Sequence, residues 1–147
     1  MENFIYRKAI KRDLNKILDL GYLIDDFESE EAKKFWDYDI LLNCLNNEDS
    51  GLIVCAITDD NLAGFGVVLY NKIFKRAIIS DLFVSPKYRN SGIGNELYEL
   101  ILKDAKEKNI NSIQIITEYN NSSIIGFFEN KGFDKINNNS LLFLNLE

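Results

Sequence analysis

Residues 78–102 read IISDLFVSPKYRNSGIGNELYELIL, and the rest of the chain is organised around this stretch. Residues 78–84 are apolar except for two adjacent polar positions, a composition that predicts a buried strand. Pro86 is the only proline in the chain and is expected to end that strand. Gly92 and Gly94 permit a tight turn before an amphipathic helix. A strand, a glycine-containing loop and a helix N-terminus in succession favour a binding site for an anion.

Length, composition and charge limit the class of protein. A chain of 147 residues with 46% hydrophobic and 27% charged residues predicts one globular domain over residues 1–147. No apolar run approaches the roughly 20 residues of a membrane span, and the N-terminus has no signal-peptide pattern. We therefore expect a soluble, cytoplasmic protein without a membrane partner. The net charge of −6 argues against a nucleic-acid partner and mildly favours cationic small partners.

The chain contains no histidine, which restricts the chemistry it can perform. Ser-His-Asp and Cys-His catalysis and the common histidine-based zinc sites are excluded, and we expect no metal. Cys44 and Cys55, the only cysteines, lie in apolar surroundings and are expected to be buried, reduced thiols. Acid–base chemistry must therefore use carboxylates, tyrosines, lysines or water.

Alternation, turn residues and helical spacing predict elements in the order β-α-α-β-β-β-α-β-α-β-β. The predicted strands cover residues 4–10, 52–58, 62–70, 77–84, 112–117, 133–136 and 141–146. The apolar face of the first predicted helix consists of Leu14, Ile17, Leu18 and Tyr22. The second helix is predicted to run from about residue 30 to 45, and the third to follow the glycine loop. The fourth is predicted to cover residues 122–130, with Gly132 as its C-terminal cap. The predicted fold is of the α/β (α+β) class, a mixed and mostly antiparallel sheet flanked by helices on both faces.

The glycine loop differs from the two commonest phosphate-binding motifs. A P-loop needs Lys followed by Ser or Thr after its last glycine, and a dinucleotide fingerprint needs a third glycine where Leu97 stands. Residues 89–94 instead offer successive backbone N–H groups at a helix start, with Arg89 as a permanent cation, and a pyrophosphate fits that arrangement. A plain strand-to-helix turn with glycines for packing explains the loop equally well.

Two motifs in the right order resemble those of the GNAT superfamily of N-acetyltransferases. Residues 84–94, VSPKYRNSGIG, resemble its acetyl-CoA signature, (Arg/Gln)-x-x-Gly-x-(Gly/Ala), and residues 121–133, NSSIIGFFENKGF, resemble its second motif. The spacing and the element order also agree, so the resemblance spans nearly the whole chain. It implies a GNAT-like acyl-CoA N-acyltransferase fold and an N-acetyltransferase that moves an acetyl group from acetyl-CoA to a primary amine.

The resemblance also implies a set of cofactor contacts spread over the strand, the loop and the second motif. Its members are Leu82, Phe83, Val84, Arg89, Asn90, Ser91, Gly92, Ile93, Gly94, Asn95, Asn121 and Phe128. The strand backbone would follow the pantetheine arm and the acetyl group, the loop would hold the pyrophosphate, and Asn121 would hydrogen-bond the cofactor. The strands that hold Val84 and Thr117 would splay apart, with the thioester in the gap. The Val84 N–H would then donate to the developing oxyanion.

The general acid of this family is absent from its usual place. Phe128 stands where the second motif carries a tyrosine, and phenylalanine cannot donate a proton to the departing thiolate. Tyr88 and Tyr119 are nearby in sequence and are candidate substitutes. The same feature favours an alternative function, a non-catalytic acyl-CoA-binding module or sensor. A third hypothesis is an unrelated phosphate-binding domain whose second motif is a coincidence.

Asp81 is the first candidate for the catalytic base. Strand alternation predicts that its side chain shares a face with Ile79 and Phe83, and apolar company raises the pKa of a carboxyl group. The alternative is a buried carboxylate that accepts hydrogen bonds for structural reasons alone. Glu118 is the second candidate for the base, and Ser80 could relay a proton through water.

The acceptor and the assembly are less defined by the sequence. Acidic residues at positions 25–31 fall where the acceptor-side helices of this family meet, and they could attract a cationic amine. Helix-end and surface solvation explains them as well. The implied acceptor is therefore a small amine or a peptide amine. The sequence does not give the oligomeric state, although homodimers are common among the proteins it resembles.

Overall fold

The computed structural model describes residues 3–22, 37–115 and 122–134 of the chain. The chain divides into two compact units, Met1–Ile116 and Thr117–Glu147. The prediction of one domain over residues 1–147 stays a prediction. None of the helices in the described ranges combines the length and the apolar character needed to cross a bilayer.

The first unit contains five strands and three α-helices within its described residues. The strands are β1 (Ile5–Lys8), β2 (Gly51–Thr58), β3 (Asn61–Asn71), β4 (Arg76–Val84) and β5 (Ser112–Ile115), and the helices are α1 (Leu14–Gly21), α2 (Tyr38–Asn46) and α3 (Ile93–Glu107). Single turns of 3-10 helix occur at Lys11–Asp13 and Pro86–Tyr88. In the second unit, α4 covers Ser122–Asn130. Among the described residues, the elements follow the predicted order as far as α4. Residues 133 and 134, the described half of the strand predicted at 133–136, are not in a strand, because the chain there completes the C-terminal cap of α4. The strand predicted at 141–146 lies outside the described residues.

The five strands form one mixed sheet in the order β1-β2-β3-β4-β5. The first three pairings are antiparallel, and β4 pairs with β5 in parallel across the α3 connection. The β2–β3 hairpin turns at Asp59 and Asp60, whose φ angles of 46° and 65° are those a two-residue type I′ turn needs. The predicted mixed, mostly antiparallel sheet is confirmed.

Helices α1 and α2 pack on one face of the sheet. Their buried side chains form a single apolar cluster with alternate residues of β2 and β3, and its members include Leu14, Ile17, Leu20, Leu41, Ile53, Cys55, Phe65 and Val67. Alternation with a period of two is the pattern of a strand that buries one face against a helix layer. Removal of this apolar surface from water is the main stabilising contribution to the layer.

Helix α3 packs on the opposite face, where two glycines of β3 allow it to approach closely. A Cβ on Gly64 would lie 2.9 Å from the carbonyl oxygen of Phe83 and 3.2 Å from Cγ2 of Ile93. A Cβ on Gly66 would lie 3.1 Å from Cδ1 of Ile101. These glycines therefore serve the helix–sheet contact, and helices on both faces of the sheet are confirmed.

Asp104 of α3 is the centre of a polar cluster that ties this helix to the sheet. The hydroxyl of Tyr70 donates to Asp104 Oδ2 at 2.7 Å, Lys108 Nζ lies 2.5 Å from the same oxygen, and Lys8 Nζ lies 3.1 Å from Oδ1. Burial opposes ionisation of Asp104, but the three donors outweigh burial and hold its pKa below 3.8. Burial and the bond to Asp104 raise the pKa of Tyr70.

Two predicted details of the first helices are wrong. Tyr22 is the C-cap residue of α1, and its side chain at this end of the helix is 53% exposed rather than buried. The second helix does not run unbroken from residue 30, since Asp37 is extended with a ψ of 139° and α2 begins at Tyr38. The Asp37 carboxylate accepts a 2.7 Å bond from the Asp39 amide, which is the role of an N-cap.

In the second unit, α4 ends in a Schellman motif. Gly132 has a φ of 92°, its amide donates to the Glu129 carbonyl at 3.0 Å, and the Phe133 amide donates to the Phe128 carbonyl at 3.0 Å. The rings of Phe128 and Phe133 meet at a centroid distance of 5.1 Å, which is the hydrophobic contact that accompanies this motif. The prediction of Gly132 as the cap of this helix is confirmed.

Candidate functional site

Within the described residues, the C-terminal half of β4 extends beyond its pairing with β5. Residues 76–79 of β4 pair with β5, whereas the pairing with β3 continues to Val84. Residues 80–84 are half-buried rather than fully buried, so the prediction of a buried strand over residues 78–84 is confirmed only in part. The side of this segment that faces away from β3, along which β5 pairs with residues 76–79, is called the open side of β4 below; the residues that follow β5 in the chain lie outside the described ranges.

The strand register determines which backbone groups face the open side. The Ser85 amide donates to the Ala63 carbonyl at 2.8 Å, so these two residues are a hydrogen-bonded pair. Hydrogen-bonded and non-hydrogen-bonded pairs alternate along an antiparallel ladder. The next pair, Gly64 and Val84, is therefore non-hydrogen-bonded, and the amide and carbonyl of Val84 point to the open side. The same alternation directs the amide of Leu82 to that side.

The loop after β4 turns into α3 through two left-handed residues, Asn90 with a φ of 65° and Gly92 with a φ of 80°. The first intrahelical hydrogen bond of α3 runs from the Glu96 amide to the Gly92 carbonyl at 3.2 Å. N–H groups in the first turn of a helix have no intrahelical acceptor, and left-handed residues turn successive amides to one side. The loop and the start of α3 therefore present partial positive charge to an anion.

Arg89 connects this loop to the end of β4. Its Nε donates to the Val84 carbonyl at 3.2 Å, and its guanidinium carbon lies 5.5 Å from the ring centroid of Phe83. A guanidinium is ionised at every relevant pH. The side chain therefore holds a permanent positive charge beside the open side of β4, where the sequence predicts the cofactor.

A β-bulge in β4 changes the predicted orientation of Asp81. Asp81 and Ile79 pair with adjacent residues of β3, which leaves Ser80 as an extra residue. Ser80 and Asp81 consequently line the same cavity, and the Ser80 hydroxyl donates to Asp81 Oδ2 at 2.7 Å. The prediction that Asp81 shares a face with Ile79 is wrong, because the bulge reverses the alternation between them. The prediction that Asp81 shares a face with Phe83 is confirmed. Asp81 pairs with Val67 and Phe83 with Phe65, and the side chains of both partners belong to the apolar cluster under α1 and α2.

Asp81 lies in a cavity of about 290 Å³ between α2 and strands β3 and β4. Burial raises the pKa of its carboxyl above 3.8, and the hydrogen bond from Ser80 offsets part of that rise. A carboxylate whose pKa is raised and which lines a cavity is a better proton acceptor than an ordinary surface carboxylate. Its chemistry therefore fits the predicted base, the Ser80 hydroxyl is the donor to its carboxylate among the described residues, and the structural alternative stays open.

Several predicted site residues lie outside the described residues. Glu118, Asn121, Tyr119, Thr117 and the acidic positions 25–31 belong to this group, so their roles stay predictions. Phe128 is buried, and its ring packs against Phe127 and Phe133 at centroid distances of 5.1 Å. Tyr88 is buried with its ring edge-on to that of Phe4 at 5.8 Å. Tyr88 therefore serves packing in this conformation.

The bulge and the cavity were not predicted from the sequence. The signal for the bulge is the adjacent polar pair Ser80 and Asp81 within an otherwise apolar strand, which regular alternation cannot turn to one face. The signal for the cavity is weaker, because Ile40 of α2 and Leu69 of β3 occur in ordinary apolar patterns. Both are large side chains that remain partly exposed, at 49% and 43%.

Both cysteines are free thiols, as predicted, but the prediction that both are buried is wrong for Cys44, which is half-buried because it lines the cavity. Cys55 is fully buried, and burial raises the pKa of its thiol to about 12. Cys44 is half-buried and lines the cavity of Asp81, and burial raises the pKa of its thiol as well. Within the described ranges no group of three or more Cys, Asp or Glu side chains is arranged to hold a metal ion.

The fold and the site define a class of protein with a mixed sheet, helices on both of its faces, and a loop before α3 that presents backbone N–H groups. Within that class, the chain belongs to the acetyltransferase (GNAT) family, whose model matches residues 13–133. This match excludes the hypothesis of an unrelated phosphate-binding domain and confirms the resemblance seen in the two motifs.

Individual relatives agree with this assignment. The chain is 30% identical over 98 residues to N-alpha-acetyltransferase 30 of Homo sapiens, a match that covers 67% of this chain and 24% of the human protein. Among solved structures, an acetyltransferase of the GNAT family from Staphylococcus aureus Mu50 superposes with a TM-score of 0.80 at 22% identity, covering 99% of this chain and 94% of that one. The PaiA N-acetyltransferase from Thermoplasma acidophilum in complex with coenzyme A superposes with a TM-score of 0.78 at 22% identity, covering 90% of each chain.

Proposed function

We propose that this chain is an acetyl-CoA-dependent N-acetyltransferase that moves an acetyl group to the primary amine of a small molecule or a peptide. The observation that carries the proposal is the direction of the Val84 amide. It points to the open side of β4, immediately before a loop whose left-handed residues and helix start suit a pyrophosphate. The thioester and the pyrophosphate of acetyl-CoA could thus be held along one continuous stretch of backbone.

The cofactor contacts divide between the strand and the loop. The amides of Leu82 and Val84 are available to the pantetheine arm and the acetyl carbonyl, whereas Phe83 directs its backbone polar groups to β3. The loop residues 89–95 would receive the pyrophosphate, with the charge of Arg89 beside it. Asn121 and Phe128 remain proposed contacts on the strength of the second motif.

Acetyl transfer requires a neutral amine, because an alkylammonium with a pKa near 10.4 has no free electron pair. Asp81 would take the ammonium proton, and its raised pKa suits that step. The amine nitrogen then bonds to the acetyl carbon, and the Val84 N–H donates to the carbonyl oxygen as negative charge develops there. The carbon–sulfur bond breaks, the acetylated nitrogen gives up its second proton to the departing sulfur or to water, and CoA leaves as a thiol or a thiolate. Glu118 stays the second candidate for the base.

The leaving thiolate would be protonated without a tyrosine at residue 128. A thiolate is a stable anion compared with an alkoxide, and water or the proton held by Asp81 could neutralise it. The proposed mechanism therefore depends on oxyanion stabilisation and on the base more than on a general acid.

Thermal denaturation with acetyl-CoA, CoA and ATP, followed by thiol release with a panel of amines, tests the proposal. We expect stabilisation by acetyl-CoA and CoA but not by ATP, and amine-dependent release of CoA with the acetylated amine identified by mass spectrometry. Stabilisation by ATP alone would contradict the placement of the cofactor.

A second candidate function is an acyl-CoA-binding module without turnover. Phe128 favours it, because its ring is part of an apolar cluster and offers no proton donor. Stabilisation by CoA together with thiol release no faster than hydrolysis, across amines of differing size and charge, would establish this function instead of the enzyme.

A further inference from the structure

The connection between β3 and β4 carries two large apolar side chains at its apex. Residues 71–76, called the β3–β4 tip below, are all exposed, and Ile73 and Phe74 at their centre are 88% and 66% exposed. Side chains of this size gain free energy when they are removed from water. The turn at the other end of β3 instead carries Asp59 and Asp60, the usual polar composition of a hairpin turn. The apolar pair is therefore not a requirement of hairpin formation.

Hydrogen bonds fix the shape of the tip. The Phe74 amide donates to the side-chain oxygen of Asn71 at 3.1 Å. The Asn111 amide, which follows α3, donates to the Lys75 carbonyl at 2.7 Å. Lys75 has a φ of 53°, in the left-handed region. The apolar pair thus projects from a defined turn, and a turn that is already ordered loses less entropy when it binds a partner.

Three cations flank the apolar pair in the tip. Lys72 precedes the pair, and Lys75 and Arg76 follow it. The guanidinium carbon of Arg76 lies 5.9 Å from the ring centroid of Phe74, so a cation and an apolar ring are presented side by side. Lys72 forms a 2.7 Å ion pair with Asp49, and an exposed pair of this kind gives way to another anion at little cost. The tip is therefore basic, although the whole chain has a net charge of −6.

An anionic lipid bilayer offers both kinds of contact that the tip presents. Its head groups attract lysine and arginine side chains, and the boundary between head groups and acyl chains accepts apolar side chains to a depth of roughly 5–10 Å. A projecting apex enters this soft boundary directly, whereas a folded protein partner would need a matching apolar pocket with an acidic rim. Charges more than about 10 Å away are largely screened at 0.1 M salt, so distant acidic residues oppose the contact only weakly.

We propose that the β3–β4 tip docks this chain reversibly on an anionic membrane surface, with Ile73 and Phe74 inserted and the flanking cations on the head groups. The expectation of no membrane partner comes from the lack of a spanning apolar run in the sequence, and docking by a surface turn needs no such run. The tip precedes β4 and the proposed cofactor loop follows it, so at about 3.3 Å per residue the strand separates them by roughly 25 Å. The docking does not depend on acetyl transfer.

Co-sedimentation with lipid vesicles tests the proposal. We expect the full chain to bind vesicles of phosphatidylcholine with about 30% phosphatidylserine, and to bind at least about tenfold more weakly to phosphatidylcholine alone or in about 0.5 M NaCl. Ile73→Ser is expected to weaken binding to the anionic vesicles by about tenfold. Ile5→Ser is the matched control, because it removes a 61% exposed isoleucine from β1. Absence of binding by the wild type, or equal binding by Ile73→Ser and the wild type, would overturn the proposal.

A charge reversal in the tip gives a second, independent test. Lys75→Glu is expected to weaken binding to the anionic vesicles by about tenfold or more, because one head-group contact becomes repulsive. Lys16→Glu makes the same change in net charge at the opposite end of β3, where Lys16 Nζ donates to the Asp60 carbonyl. Equal losses in the two variants would show that net charge governs binding, and would contradict docking through the tip.

Fluorescence of Phe74→Trp reports whether the apex enters the bilayer. The anionic vesicles are expected to shift the emission of this variant to shorter wavelength, relative to the wild type, whose only tryptophan is Trp36. An unshifted emission would contradict insertion. A second copy of the chain is the other occupant to be distinguished. If the wild type binds no vesicles but forms a dimer in analytical ultracentrifugation that Ile73→Ser dissociates, the tip is an interface between copies and the proposal is wrong.

Discussion

The hydroxyl of Ser80 donates a 2.7 Å hydrogen bond to Oδ2 of Asp81, its neighbour in sequence. Neighbouring side chains of a regular strand face opposite sides of the sheet, so this bond depends on the bulge that turns both residues to one cavity. Burial raises the pKa of Asp81, and the bond from Ser80 stabilises its carboxylate and limits that rise. The pair thus sets the pH at which the proposed base becomes active.

Ser80→Ala is expected to move the acidic limb of the kcat/KM profile to higher pH. The hydrogen bond from Ser80 stabilises the carboxylate of Asp81 and lowers its pKa, so its loss raises the pKa of the proposed base. The measurement is amine acetylation between pH 5 and pH 9, and Ser80→Thr, which keeps the hydroxyl, is the control. An acidic limb that stays in place in Ser80→Ala would show that the bond does not tune the base.

Asp81→Asn is expected to lose acetylation while keeping or gaining stability at pH 7. Because the folded-state pKa of Asp81 is raised above 3.8, the native chain binds more protons than the unfolded chain at pH values between the two pKa values. The free energy of unfolding therefore falls as pH rises through that window, and the asparagine variant lacks this fall. Denaturant unfolding at several pH values measures it. A clear loss of stability at pH 7 would indicate a structural role for the carboxylate.

Gly92→Ala is expected to weaken CoA binding by up to about tenfold and to destabilise the fold by about 1 kcal/mol. A Cβ at Gly92 meets no atom within 4 Å, so the effect arises from its φ of 80° alone. Gly132→Ala is the matched control, because Gly132 also has a positive φ, 92°, and no atom within 4 Å of an added Cβ, but lies outside the loop. Calorimetric titration with CoA gives the affinities, and equal values for Gly92→Ala and the wild type would contradict the loop as the pyrophosphate site.

Gly64→Ala is expected to destabilise the first unit by about 1–3 kcal/mol. The added methyl group would lie 2.9 Å from the carbonyl oxygen of Phe83, and this backbone atom cannot move aside without disturbing β4. Gly126→Ala in α4 is the control, since its Cβ meets nothing within 4 Å and alanine favours a helix by about 1 kcal/mol. Denaturant midpoints of the two variants are therefore expected to move in opposite directions.

Asp104→Asn is expected to cost about 1–3 kcal/mol at pH 7, because three donors lose a charged acceptor in a buried position. The folded-state pKa of Asp104 lies below 3.8, so the stability it contributes is present above that value and is lost as pH falls through the folded-state pKa. The difference from the wild type is thus expected to shrink in acid. Asp49→Asn, which removes an exposed pair with Lys72, is expected to leave the melting temperature unchanged.

The element order was predictable because each segment carries its own local pattern. Asp59 and Asp60 between two alternating runs predict the hairpin that their φ angles confirm. Gly132 after an apolar helix predicts the Schellman motif that ends α4. Tyr22 shows the limit of such patterns, since helical spacing does not state where a helix ends.

The sequence by itself determined the family, the mixed sheet and the position of the anion-binding loop, because glycines, a single proline and hydrophobic periodicity act over a few residues. Tertiary structure alone decided the direction of the Val84 amide and the face on which Asp81 lies. Both depend on the register between β3 and β4, and a one-residue bulge reverses every side chain beyond it. For residues 78–102, the loop proposed to hold the pyrophosphate is therefore encoded locally, whereas the direction of the Val84 amide and the face of the proposed base are encoded non-locally.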